Sequence, residues 1–99
     1  MNILVSQEIA SVCPCFVGAC VDAMVENSPY SPELWDEIHQ WGDKFRSQLT
    51  TDSLKDQPGI AATRRVYKLC GKDPSRDRPA SEQLIRRMLQ GKELYKIDT

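Results

Sequence analysis

The stretch that decides the predicted fold is residues 71–91, which read GKDPSRDRPASEQLIRRMLQG. Its first half is rich in turn-forming residues, because Pro74 and Pro79 each disfavour helix in the residue before them. Its second half repeats apolar side chains at helical spacing, which predicts a short amphipathic helix over 79–90. Pro79 suits the first helical position, and Gly91 suits the residue after the helix. The stretch therefore indicates a loop that leads into a helix.

Three further helices are predicted upstream of this stretch. Ser31 precedes a proline and a long apolar stripe, which predicts a capped amphipathic helix over 31–49. Residues 59–70 repeat apolar side chains in the same way and predict a second helix that a glycine ends. A brief helix capped by Ser6 is expected to end before Pro14.

Three short segments predict strands, at 2–5, 16–25 and 94–98. In 16–25 every second residue is apolar, which is typical of a strand covered on at least one face. Gly18 and Cys20 on its other face are small enough to let a helix or a small ligand approach closely. Strands and helices together predict an α+β fold, in which about three helices cover a small mixed sheet within a single domain.

Charge is distributed unevenly along the chain. Residues 1–63 hold nine acidic and three basic side chains, whereas residues 64–99 hold ten basic and five acidic ones. Arginine binds phosphate oxygens through two parallel hydrogen bonds, so a basic surface favours nucleic acid as a partner. The candidate nucleic-acid-binding residues are Arg64, Lys72, Arg76, Arg78, Arg86 and Arg87.

Other kinds of site find little support in the sequence. His39 is the only histidine, and it lies on a predicted amphipathic helix without a nucleophile nearby, so no catalytic residues are assigned. Cys13, Cys15, Cys20 and Cys70 do not have zinc-site spacing, so we expect no metal and no cofactor. We interpret them as small buried hydrophobic residues in a reducing cytoplasm. No apolar run is long enough for a membrane span.

The second half of the chain resembles a known family. The motifs that carry the resemblance are Asp73-Pro74-Ser75-Arg76, Arg78-Pro79-Ala80-Ser81-Glu82, Leu84-Ile85-Arg86-Arg87, Gly91-Lys92 and Tyr95-Lys96-Ile97-Asp98-Thr99. From residue 59 onward the chain is similar to the free-standing B-three/B-four domain proteins. These proteins are themselves similar to the tRNA-editing domain in the beta subunit of bacterial phenylalanyl-tRNA synthetase.

The resemblance implies a tRNA-binding domain. In the family, the motif at residues 97–99 continues into a Val-Val-Asp strand and a second half. In the synthetases, the residues of the editing pocket include a histidine that follows this strand, and His39 does not match it. We therefore expect residues 1–99 to be the N-terminal part of one such domain, with editing activity only when the remainder is supplied. A second copy or the missing C-terminal segment is expected as a partner. The alternatives are a protein-interaction module and a small-ligand binding domain that uses the face of Gly18 and Cys20.

Overall fold

The structure, a computed structural model, describes residues 2–96, and all regular secondary structure in that range is helical. The elements are α1 (Gln7–Val12), α2 (Pro32–Gln48), a 3-10 helix (Leu54–Asp56), α3 (Pro58–Leu69) and α4 (Ala80–Leu89). The predicted α+β fold is therefore wrong for the described residues, and the chain is all-α there.

The predicted helices are confirmed, and most of the residues expected to begin or end them do so. The hydroxyl of Ser31 accepts a hydrogen bond from the backbone N–H of Leu34 at 3.3 Å and caps α2, as Ser6 caps α1. Gly71 and Gly91 take φ values of 76° and 73°, each directly after the C-cap residue of its helix, α3 or α4. Only glycine adopts this conformation without strain, so the glycines set where these helices end. Helix α4 begins one residue later than predicted, so Pro79 is its N-cap and not its first helical residue.

The predicted strands are absent from residues 2–96. Residues 2–5 and 16–25 form no β ladder, and neither do residues 94–96, while residues 97 and 98 of the third predicted strand lie outside the described range. Alternation of apolar residues favours an extended backbone with one apolar face, but a strand also needs a neighbour to accept and donate its backbone hydrogen bonds. Within residues 2–96, residues 16–25 form no such ladder with another segment.

A small core forms where α3 and α4 meet the 3-10 helix. Leu54 of the 3-10 helix is fully buried, and Ile60 in the first turn of α3 is also buried. The hydroxyl of Ser53 accepts a hydrogen bond from the backbone N–H of Thr50 at 2.9 Å, and the hydroxyl of Thr50 accepts one from the backbone N–H of Ser53 at 3.1 Å. These reciprocal bonds shape the turn that directs Leu54 into the core.

Helix α2 packs against α4 through a glycine. Gly42 is buried, and a Cβ atom added to it would lie 3.3 Å from Cε of Met88 on α4. Beside this contact, Arg46 donates a hydrogen bond to the carbonyl of Met88 at 2.6 Å. The positive guanidinium is thereby placed at the C-terminal end of α4, where it complements the helix dipole.

The described chain is less compact than a single-domain protein of its length. Its radius of gyration is 16.5 Å, against about 13 Å expected for a compact domain of this size. Val17 and Val21 are 90% and 87% exposed, and Trp41 on α2 is also exposed. Three of the four cysteines are exposed as well, so the expectation that all are buried is wrong except for Cys13. None of the helices in residues 2–96 has the length and apolarity that a membrane crossing requires.

The exposed apolar segment 16–25 predicts association with another chain. Each valine that becomes buried contributes about 1.5 kcal/mol or more, so the double substitution Val17→Ser and Val21→Ser should weaken self-association at least about tenfold. Sedimentation equilibrium at micromolar concentrations measures this change. The control is Glu26→Gln, which replaces one polar side chain by another directly after this segment and should leave self-association unaltered. A monomer that also fails to bind an apolar dye would contradict the prediction.

Candidate anion-binding site

A buried carboxylate lies at the centre of the predicted basic region. Glu82, in the first turn of α4, has a side chain that is 0% exposed. Its Oε1 accepts a hydrogen bond from Nη1 of Arg64 at 2.8 Å, and Nη2 of Arg86 lies 3.7 Å from the same oxygen. A buried charge is tolerated only when opposite charge and hydrogen bonds compensate for the lost hydration. Glu82 is therefore turned inward to the arginines and does not cap α4.

Arg64 connects three separate parts of the chain. From the middle of α3 its guanidinium reaches Glu82 on α4, the carbonyl of Pro74 at 3.4 Å and the hydroxyl of Ser75 at 2.9 Å. The loop it contacts is itself ordered, because the backbone N–H of Ser75 donates to the carboxylate of Asp73 at 2.9 Å. The planar guanidinium, with five donors in a fixed arrangement, is suited to such a junction.

A cavity of about 190 Å³ opens beside this junction. Its lining comes from the turn before the 3-10 helix, the 3-10 helix itself, α3, the loop and α4, and it is almost wholly polar. We call it the arginine cavity, and its lining residues are Thr51, Asp52, Lys55, Arg64, Ser75, Arg78 and Arg86.

The structure brings together half of the predicted nucleic-acid-binding residues. Arg64, Arg78 and Arg86 line the arginine cavity, whereas Lys72 and Arg76 are exposed on the adjoining loop and do not line it. In this loop the backbone N–H groups of Arg76 and Asp77 both donate to the carbonyl of Asp73, which forms a tight turn.

Arg87 lies outside the arginine cavity and binds another part of the chain. Its Nε and Nη2 donate to the carbonyl of Glu93 at 3.0 and 2.7 Å, and its guanidinium lies 4.3 Å from the ring centre of Tyr95. Hydrogen bonding and cation–π stacking together hold the segment after α4 against the helix.

From the sequence, no role in this site was assigned to Glu82 or to four of the lining residues, Thr51, Asp52, Lys55 and Ser75. The spacing of Glu82 and Arg86 by four residues on one helix did signal an ion pair. The partner Arg64 lies on a different helix, and nothing in the local pattern links it to Glu82.

His39 lies on α2 in an exposed pair with Glu93, with 3.3 Å between Nε2 and Oε1. It is not among the residues of the arginine cavity. Within residues 2–96 no group of three or more His, Cys, Asp or Glu side chains is arranged to hold a metal ion.

A second, apolar cavity of about 730 Å³ lies between residues 13–17 and α3. Cys13 is buried at its edge, with its Sγ 3.9 Å from that of Cys15. Burial raises the pKa of the Cys13 thiol, and the hydrogen bond with Cys15 adds to the effect. Gly18 was expected to admit a helix or a ligand, but a Cβ atom added to it would meet the ring of Phe16, at 3.5 Å.

Neither a protein-family model, nor a curated protein, nor a solved structure matches the chain. The resemblance to B-three/B-four domains therefore stays a prediction from the motifs quoted above.

Replacing Glu82 by Gln should destabilise the protein by about 3 kcal/mol, because the partly buried guanidinium groups of Arg64 and Arg86 lose their counter-charge. Urea unfolding followed by circular dichroism measures the free energy of unfolding. Glu93→Gln is the matched control, since it removes an exposed carboxylate and should cost less than about 0.5 kcal/mol. Equal losses in the two variants would show that the Glu82 pair does not stabilise the fold.

Proposed function

We propose that this protein binds tRNA through the arginine cavity and the exposed loop beside it. The observation that carries the proposal is the convergence of Lys55, Arg64, Arg78 and Arg86 on one cavity from separate parts of the chain. Guanidinium groups held in fixed positions recognise phosphate oxygens better than mobile ones, because less conformational freedom is lost on binding.

Several of these cations are available to a ligand. Lys55 and Arg78 have no ion-pair partner within residues 2–96, and Lys72 and Arg76 on the adjoining loop have none there either. An RNA backbone that crosses the cavity would meet the loop cations at its edge. The local excess of positive charge favours a polyanion although the whole chain carries a net charge of −1.

We propose tRNA rather than another RNA because of motifs in the amino-acid sequence. The arginine cavity supports polyanion binding in general, and the motifs in residues 59–99 that resemble B-three/B-four domains favour tRNA. We propose binding without hydrolysis, because the only histidine of the chain lies on α2 and does not line the cavity. The free thiols of Cys13, Cys15 and Cys70 support the cytoplasm as the compartment.

A second candidate function is a protein-interaction module. It is favoured by the apolar cavity against α3 and by the exposed valines of residues 16–25. Exposed apolar surface of this kind is typical of protein-binding sites. The association measurement on the Val17 and Val21 variant tests this candidate.

The double substitution Arg76→Gln and Arg78→Gln tests tRNA binding. Both side chains are exposed and lie outside the Glu82 ion pairs, so the variant should fold. We expect weaker binding of total tRNA, and a plot of log affinity against log salt whose slope is flatter by about 0.9 for each lost phosphate contact. Electrophoretic mobility shifts at several salt concentrations measure the slope.

The control carries the same change of charge elsewhere. Lys44→Gln on α2 and Lys92→Gln after α4 remove two cations that do not line the arginine cavity. This control should keep the slope of the original protein. An unaltered slope in the folded arginine variant would rule out the two arginines as phosphate contacts.

A further inference from the structure

We infer that the arginine cavity binds a terminal phosphate monoester, of which the 5′ end of a tRNA is the source that the proposed function implies. The inference makes the proposed function more specific, and it rests on that function only for the identity of the molecule that carries the phosphate. An internal phosphodiester of the RNA backbone is the competing occupant.

The charge of the cavity fits a dianion. Four cationic side chains line it, and the carboxylates of Asp52 in the lining and Glu82 behind it leave an excess of two positive charges. A phosphate monoester carries about −1.5 to −2 at pH 7 because its second pKa is about 6. A phosphodiester carries a single negative charge and would leave part of the cationic charge unpaired.

Donors that an anion would need are already in place. The hydroxyl of Ser75 accepts a hydrogen bond from Arg64, so its own proton is available to a bound oxygen. Nε of Arg86 and Oε2 of Glu82 are both buried without a hydrogen-bond partner within the described residues, and Nη2 of Arg86 lies 3.7 Å from Oε1 of Glu82, too far for a hydrogen bond. Glu82 therefore does not fully pair the guanidinium of Arg86, whose side chain lines the cavity and keeps charge for an anion there.

The cavity is also preorganised. Glu82 holds the guanidinium groups of Arg64 and Arg86 before any ligand arrives, and the volume of about 190 Å³ suits a phosphate group better than a nucleobase with its sugar. Lys55 and Arg78 are exposed, so they can close on the anion from the solvent side. Fixed and mobile cations together would surround the free oxygens of a monoester.

The first experiment titrates inorganic phosphate into the protein by calorimetry, at constant ionic strength with chloride as the competing anion. We expect saturable binding at one site. Lys55→Gln and Arg78→Gln should each weaken it about tenfold or more. Lys68→Gln, an exposed cation of α3 outside the cavity, is the matched control and should bind phosphate as the original protein does.

Circular dichroism establishes that each variant is folded. Absence of saturable phosphate binding would overturn the inference. An equal loss in the Lys68 control would also overturn it, because the effect would then reflect overall charge and not the cavity.

The second experiment compares tRNA carrying its 5′-phosphate with the same tRNA after phosphatase treatment. We expect the phosphorylated form to bind about tenfold more tightly, and Arg78→Gln to remove that difference. Equal binding of both forms, with no saturable binding of inorganic phosphate, would overturn the inference and leave the proposed function standing. Saturable binding of inorganic phosphate without binding of either tRNA would support the phosphate site and overturn the proposed function.

Discussion

The ion pair between Glu82 and Arg64 joins parts of the chain that few other contacts hold together. Glu82 is fully buried, whereas the apolar core beside it contains little more than Leu54 and Ile60. A carboxylate in such a place is stable only while its cation stays in contact, so α3 and α4 are held at a fixed separation. Because Arg64 also binds the loop at Pro74 and Ser75, the same interaction sets the position of the loop that leads into α4.

This arrangement couples stability to binding. The side chains that neutralise Glu82 are also the ones that line the arginine cavity, and one carboxylate does not neutralise all the cations around it. The residual positive charge is therefore a consequence of how the core is built. An incoming anion would meet guanidinium groups that are already oriented, which reduces the entropy that binding has to overcome.

The helices were predictable because their signals are local. Caps such as Ser31, glycines such as Gly71 and the apolar spacing of α2 all act within a few residues. The strands were predicted wrongly because alternation in residues 16–25 favours an extended backbone but does not determine whether a neighbouring strand pairs with it. Half of the candidate site residues line the cavity, and they could be picked out because a cluster of arginines can be recognised from the sequence alone. The burial of Glu82 could not be predicted in this way, because it depends on a contact with Arg64, 18 positions away along the chain.

The close approach at Gly42 restricts how the sequence of α2 is able to vary. Most of the helix surface faces solvent and would accept many side chains, yet at this position one added methyl group would lie 3.3 Å from Cε of Met88, so that the end of this side chain would have to shift by a few tenths of an ångström. A larger side chain would press on α4 itself and could move Arg86, which lies half a turn before Met88, relative to Arg64 on α3. Large side chains at Gly42 would thus be selected against as though this position belonged to the arginine cavity, although α2 contributes no residue to its lining.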